Sequence, residues 1–114
     1  MNPQIMIIAS GKKLDAKQVE SALGTVPELT LQPATVERGI KTGVAKVIKW
    51  VAEFVGESSK VADRLIEQVT KQLAGATIEI QVDGRVIKIG NINRSQIIEA
   101  LDHAAEVARK QNGL

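Results

Sequence analysis

The chain has 114 residues, 15 Lys and Arg against 13 Asp and Glu for a net charge of +2, and no cysteine. That size suits one domain with a modest core, and the lack of thiols excludes a disulfide framework, a thiolate metal site and a cysteine nucleophile. Trp50 and Phe54 are the only aromatic residues, so base stacking has almost nothing to work with and the small charge does not steer towards polyanions; nucleic acid is not an expected partner.

Ile5, Met6, Ile7, Ile8 and Ala9 form a near-continuous apolar run, the pattern of a central strand covered on both faces. Because this run precedes its lysines, it does not read as a secretory signal, and no stretch reaches the roughly 20 apolar residues of a membrane span, so a cytoplasmic setting is expected. "SGKKLDAKQVESALG" then turns into a short helix carrying Leu14, Val19, Ala22 and Leu23 and ending at Gly24. "VPELTLQP" supplies a second strand closed by Pro33, and a crossover of this length suits a parallel pair with the first.

On a helical wheel Ile40, Val44, Val47, Ile48, Val51, Phe54 and Val55 share an arc of roughly 120°, with Lys46, Lys49, Glu53 and Glu57 opposite. "GESS" ends that helix and offers Ser58 or Ser59 as the next N-cap, after which Val61, Ala62, Leu65, Ile66, Val69 and Leu73 line one face. Residues 40–74 are therefore expected to form a helical hairpin over a sheet. Trp50, at the border of its stripe, and the basic Lys46 and Lys49 are the candidate interaction residues. The same basic amphipathic helix, over 41–55, gives the alternative of a peripheral membrane-binding module.

"ATIEIQVDGRVIKIGN" reads as a β-hairpin over 76–91, because Asp83-Gly84 tolerates the positive φ that a two-residue type I′ turn needs. In that register Ile80 faces Ile87, Ile78 faces Ile89 and Glu79 faces Lys88. Asn93 and Gln96 resemble a capping box at the start of a last helix over 94–110, whose stripe is Ile97, Ile98, Leu101, Ala104, Ala105 and Ala108.

No residue set supports a particular chemistry. Gly11-Lys12 sits between a strand and a helix, but the further glycine and the hydroxyl residue of a phosphate loop are replaced by Met6 and Lys13. His103, the sole histidine, falls on the polar face of the last helix with Glu99, Asp102 and Glu106, and i, i+4, i+7 spacing alone does not make a metal site. The serines lack a nucleophile-elbow context. Catalytic residues, metal ligands and a cofactor are accordingly not expected, and other proteins, a second copy included, are the expected partners.

The order strand, helix, "VPELTL", long helical hairpin, "IEIQVDGRVIKI" and "RSQIIEALDHA" resembles the effector-associated constant component family, with Pro27-Glu28-Leu29 and the Asp83-Gly84 hairpin as its most recognisable parts. The resemblance implies a small bacterial, non-catalytic component of conflict or signalling systems, an adaptor with no site residues to carry over. The expected fold is a single α/β domain over 1–114, a two-layer sandwich with a four-stranded mixed sheet in the order β-α-β-α-α-β-β-α.

Overall fold

In the computed structural model of the chain, which describes residues 2–12, 14–33, 35–38 and 46–112, the segment expected to open a helical hairpin is a strand. In chain order the elements are β1 (Gln4–Gly11), α1 (Ala16–Gly24), β2 (Leu29–Leu31), β3 (Thr35–Arg38), β4 (Lys46–Phe54), α2 (Ser58–Gln72), β5 (Thr77–Val82), β6 (Arg85–Lys88), a 3-10 turn (Asn91–Asn93) and α3 (Arg94–Asn112). Residues 40–45 of the expected hairpin lie outside the described residues.

β4 corrects the helical reading of 41–55, and the burial pattern gives the physical reason. Ile48, Trp50, Ala52 and Phe54 are buried and the residues between them, Val47, Lys49, Val51 and Glu53, are not, a period of two rather than 3.6. Val55, placed in the helical stripe, is 49% exposed. The run is rich in Val, Ile, Trp and Phe, residues that fit a pleated surface, and it lies between two partner strands that a local reading cannot see.

The sheet is antiparallel, not mixed, and five strands wide rather than four, in the order β2-β4-β1-β5-β6. β3 also pairs with β4, so β2 and β3 lie end to end along one edge with Pro33 between them. A proline lacks the donor to continue a ladder, which accounts for the interruption. β1 and β2 do run parallel to each other, since both are antiparallel to β4, but β4 is inserted between them. The crossover through α1 is therefore the split β-α-β plan, repeated by α2 between β4 and β5 and extended by β6 and α3.

One face of the sheet carries Ile5, Ile7, Ala9, Ile48, Trp50, Ala52, Phe54, Ile78 and Ile80, all in one buried cluster with the apolar stripes of the three helices. Cross-strand register brings Ile7 opposite both Trp50 and Ile80 at its centre. Two expected caps are placed differently. Asp15 caps α1 by accepting from the Lys17 amide at 3.0 Å, whereas α2 has Glu57 at its N-cap with no side-chain bond, and Ser58 and Ser59 sit inside the first turn. Asn93 ends the 3-10 turn and donates from Nδ2 to the Lys88 carbonyl at 3.1 Å instead of forming a capping box.

The hairpin has the register its turn requires. Asp83 and Gly84 have φ of 53° and 82°, and Glu79 pairs with Lys88 and Ile80 with Ile87. Among the described residues no helix is long and apolar enough to cross a membrane.

Candidate functional site

Trp50 is the first of the expected interaction residues to be relocated. Alternation along β4 sends its ring into the core, where it is 1% exposed, and its indole Nε1 donates to Glu20 Oε1 on α1 at 3.0 Å. A buried indole seeks such an acceptor, so the tryptophan pins α1 over β4 and offers nothing to a partner. Lys46 opens β4 opposite Gly11, with its side chain outside the described atoms. Lys49 is half-buried and belongs to the opposite face of the sheet. The three residues thus do not form one surface, and the basic helix that motivated a membrane reading is absent over 46–54.

The other candidates resolve into structural roles. Gly11 and Lys12 border a recess of about 480 Å³ between the start of α1 and the end of α2, with Leu14, Gln18, Leu73 and Ala76. Gln18 Nε2 donates to the Gln72 carbonyl at 3.3 Å, tying the two helices. A Cβ at Gly11 would meet Ala76 at an ordinary 3.8 Å, so no close backbone approach demands glycine there.

His103 Nε2 lies 3.1 Å from Asp83 Oδ2, linking α3 to the hairpin turn, and Arg85 reaches Glu99 at 3.9 Å beside it. Among the described residues no three His, Asp or Glu side chains gather as a metal-binding group, and Glu99 and Glu106 are not brought together around His103.

One further charge pair fastens two helices to each other. Arg94 grips Asp63 through two bonds, 2.6 Å from Nε and 3.1 Å from Nη2, joining α3 to α2. Those hydrogen bonds hold the Asp63 carboxyl below its ordinary range and raise the guanidinium. Lys71 does the same to Glu67 within α2, at 2.7 Å.

Glu28, the middle of the Pro27-Glu28-Leu29 tripeptide, accepts from Arg64 at 2.9 Å through Oε1, and its carbonyl accepts from the Val55 amide at 2.9 Å. It also packs on Gly56, whose φ of 98° lets the chain leave β4 for α2. Its second carboxylate oxygen is buried without a hydrogen-bond partner.

What remains is the face of the sheet that, among the described residues, no helix covers. Gln4, Met6, Ile8 and Ser10 of β1 point there, flanked by Val47, Lys49, Val51 and Glu53 on β4 and by Thr77, Glu79 and Gln81 on β5. Val86 and Lys88 extend it on β6. Met6, Ile8, Val47 and Val51 are half-buried and Val86 is 47% exposed, so an apolar centre is set among charges of both signs. Gln4 and Glu53 hydrogen-bond across two strands at 3.2 Å at one end.

Sequence reasoning missed this face because it took the β1 run as covered on both sides. The polar Gln4 and Ser10, in step with Met6 and Ile8, were the signal. No family model matches the chain, and no curated protein matches it.

Proposed function

We propose that the protein is a non-catalytic adaptor, a protein-interaction module whose contact surface is the open face of the sheet. The observation that carries this reading is the half-buried apolar centre of Met6, Ile8 and Val51, bracketed by Lys49, Glu53 and Glu79. An apolar centre within a polar rim is the anatomy of a protein contact. The resemblance to the effector-associated constant component family, whose members are proposed to be invariant parts of bacterial conflict and signalling systems, supports the same role in the cytoplasm.

The test is site-specific photocrosslinking in cells. A photoreactive phenylalanine analogue in place of Met6 gives discrete protein adducts, and the same analogue at Glu106, exposed on the opposite layer, does not. Absence of protein adducts from position 6, or equal labelling from both positions, refutes the reading.

A further inference from the structure

We infer that the occupant of the open face is a second copy of this chain, docked face to face with the two-fold axis along β1. The inference rests on the reading of this face as a contact surface and names its partner. Its first support is β1 itself. Five successive apolar residues, Ile5 to Ala9, are the pattern of a strand covered on both sides, yet among the described residues Ile5, Ile7 and Ala9 are buried and Met6 and Ile8 are only half-buried. Whatever meets Met6 and Ile8 completes the second side.

Charge placement selects a copy of the same face. Ile8 has Lys49 on one side and Glu79 on the other. A two-fold axis along β1 superposes left on right, so each Lys49 lies over the Glu79 of the second copy and Ile8 lies over Ile8. The interface is isologous, so the pair is formed twice. In the neighbouring row Met6 meets Met6 and Val51 meets Gln81, with no like charges opposed. The perpendicular in-plane axis instead sets Lys49 over Val51 and Glu79 over Gln81, so that neither charge meets an opposite one on the second copy. Packed sheets cross at about 30°, which moves residues one strand from the axis by roughly 2–3 Å, within reach of a lysine.

Area agrees. The 34 strand residues, at about 4.8 Å spacing and about 3.3 Å rise, span roughly 540 Å², so two copies would cover about 1,100 Å², just above the roughly 1,000 Å² that a specific interface needs. Pairing through the β6 edge is the competing route to a dimer, and the sequence opposes it. An antiparallel β6 pair centred between Val86 and Ile87 sets Arg85 against Lys88 twice, and Asn93 already occupies the Lys88 carbonyl.

Sedimentation of the full chain from about 1 to 500 µM tests this. A reversible dimer is expected. Lys49→Glu and Glu79→Lys each weaken it by about tenfold or more, since each opposes like charges at two places. The double variant K49E/E79K, with the pairs reversed, restores the affinity to within about threefold. Ile8→Asp abolishes the dimer. Thermal unfolding of each variant shows that the fold persists, and the charge reversal carries the test if Ile8→Asp does not fold.

A monomer at every concentration, a dimer indifferent to the charge reversals, or a double variant that does not recover overturns the inference. The crosslinking experiment separates it from the broader reading. Adducts at twice the chain mass support the second copy, and adducts exclusively with other proteins overturn it while leaving the contact surface in place.

Discussion

Trp50 and Val51 are neighbours whose substitution separates a strand from a helix. In the strand, Trp50 is 1% exposed among Ile7, Ile48 and the α1 stripe, and Val51 is half-buried on the open face. In a helix packed on a sheet the order reverses, with Val51 at the centre of the stripe and Trp50 at its border. A buried tryptophan covers about 150–250 Å², and at about 25 cal/mol per Å² that is roughly 4–6 kcal/mol of transfer free energy, an upper estimate.

Trp50→Ala is therefore expected to cost about 3–5 kcal/mol, including the void and the lost bond to Glu20. Val51→Ala is expected to cost about 1 kcal/mol or less. Against a total of about 5–15 kcal/mol the first change removes a large share of the stability. Urea unfolding followed by far-ultraviolet circular dichroism reads both. At a slope near 2 kcal/mol per M, the Trp50→Ala midpoint falls by about 2 M and the Val51→Ala midpoint by at most about 0.5 M. Equal shifts, or a larger one for Val51, refute the strand register.

Gly84→Val is expected to lower stability by about 1–2 kcal/mol through its positive φ alone, because a Cβ there meets no atom within 4 Å; an unchanged unfolding midpoint would count against the turn. The Asp63–Arg94 pair is expected to appear in the acid limb of stability. Because the folded carboxyl titrates below its unfolded value of about 4, the contribution is complete above that pH and is lost as pH falls through the folded pKa. Arg94→Met should flatten that limb, and parallel pH profiles for the two proteins would show that the pair does not act this way. His103→Ala should shift the melting temperature by no more than about 3 °C, since its contact with Asp83 is solvent-exposed; a larger loss would make the clip between α3 and the hairpin a main support.

The parts of the fold that were legible in the sequence are those held by near neighbours. Asp83-Gly84 specifies its turn through two backbone conformations, and the hairpin register follows. β4 was misread because Val47, Ile48, Val51, Phe54 and Val55 satisfy the helical period while Ile48, Trp50, Ala52 and Phe54 satisfy the strand period. What decides between them is β1, some forty residues away in sequence, which supplies a ladder along the whole segment. The mixed sheet failed for a related reason: a crossover indicates the relative direction of its two strands but not what is inserted between them. The candidate site was half visible. Lys49 was singled out for its charge, but Met6 and Ile8 were assigned to a buried strand, since a continuous apolar run does not say whether its second cover belongs to the same chain.

The position of β1 also bears on how the molecule assembles. β1 leaves the ribosome first among the strands, yet both of its neighbours come late, β4 at residues 46–54 and β5 at 77–82. The Gln4–Glu53 contact alone closes a loop of 49 residues. Until β5 has emerged, the apolar run of β1 has at least one open edge, and α3, the helix packed on β1, has not been made. Contacts of such long separation put folding on a slow timescale, about milliseconds to seconds. During synthesis this strand is the segment that a holding chaperone would find and that a neighbouring nascent chain could capture.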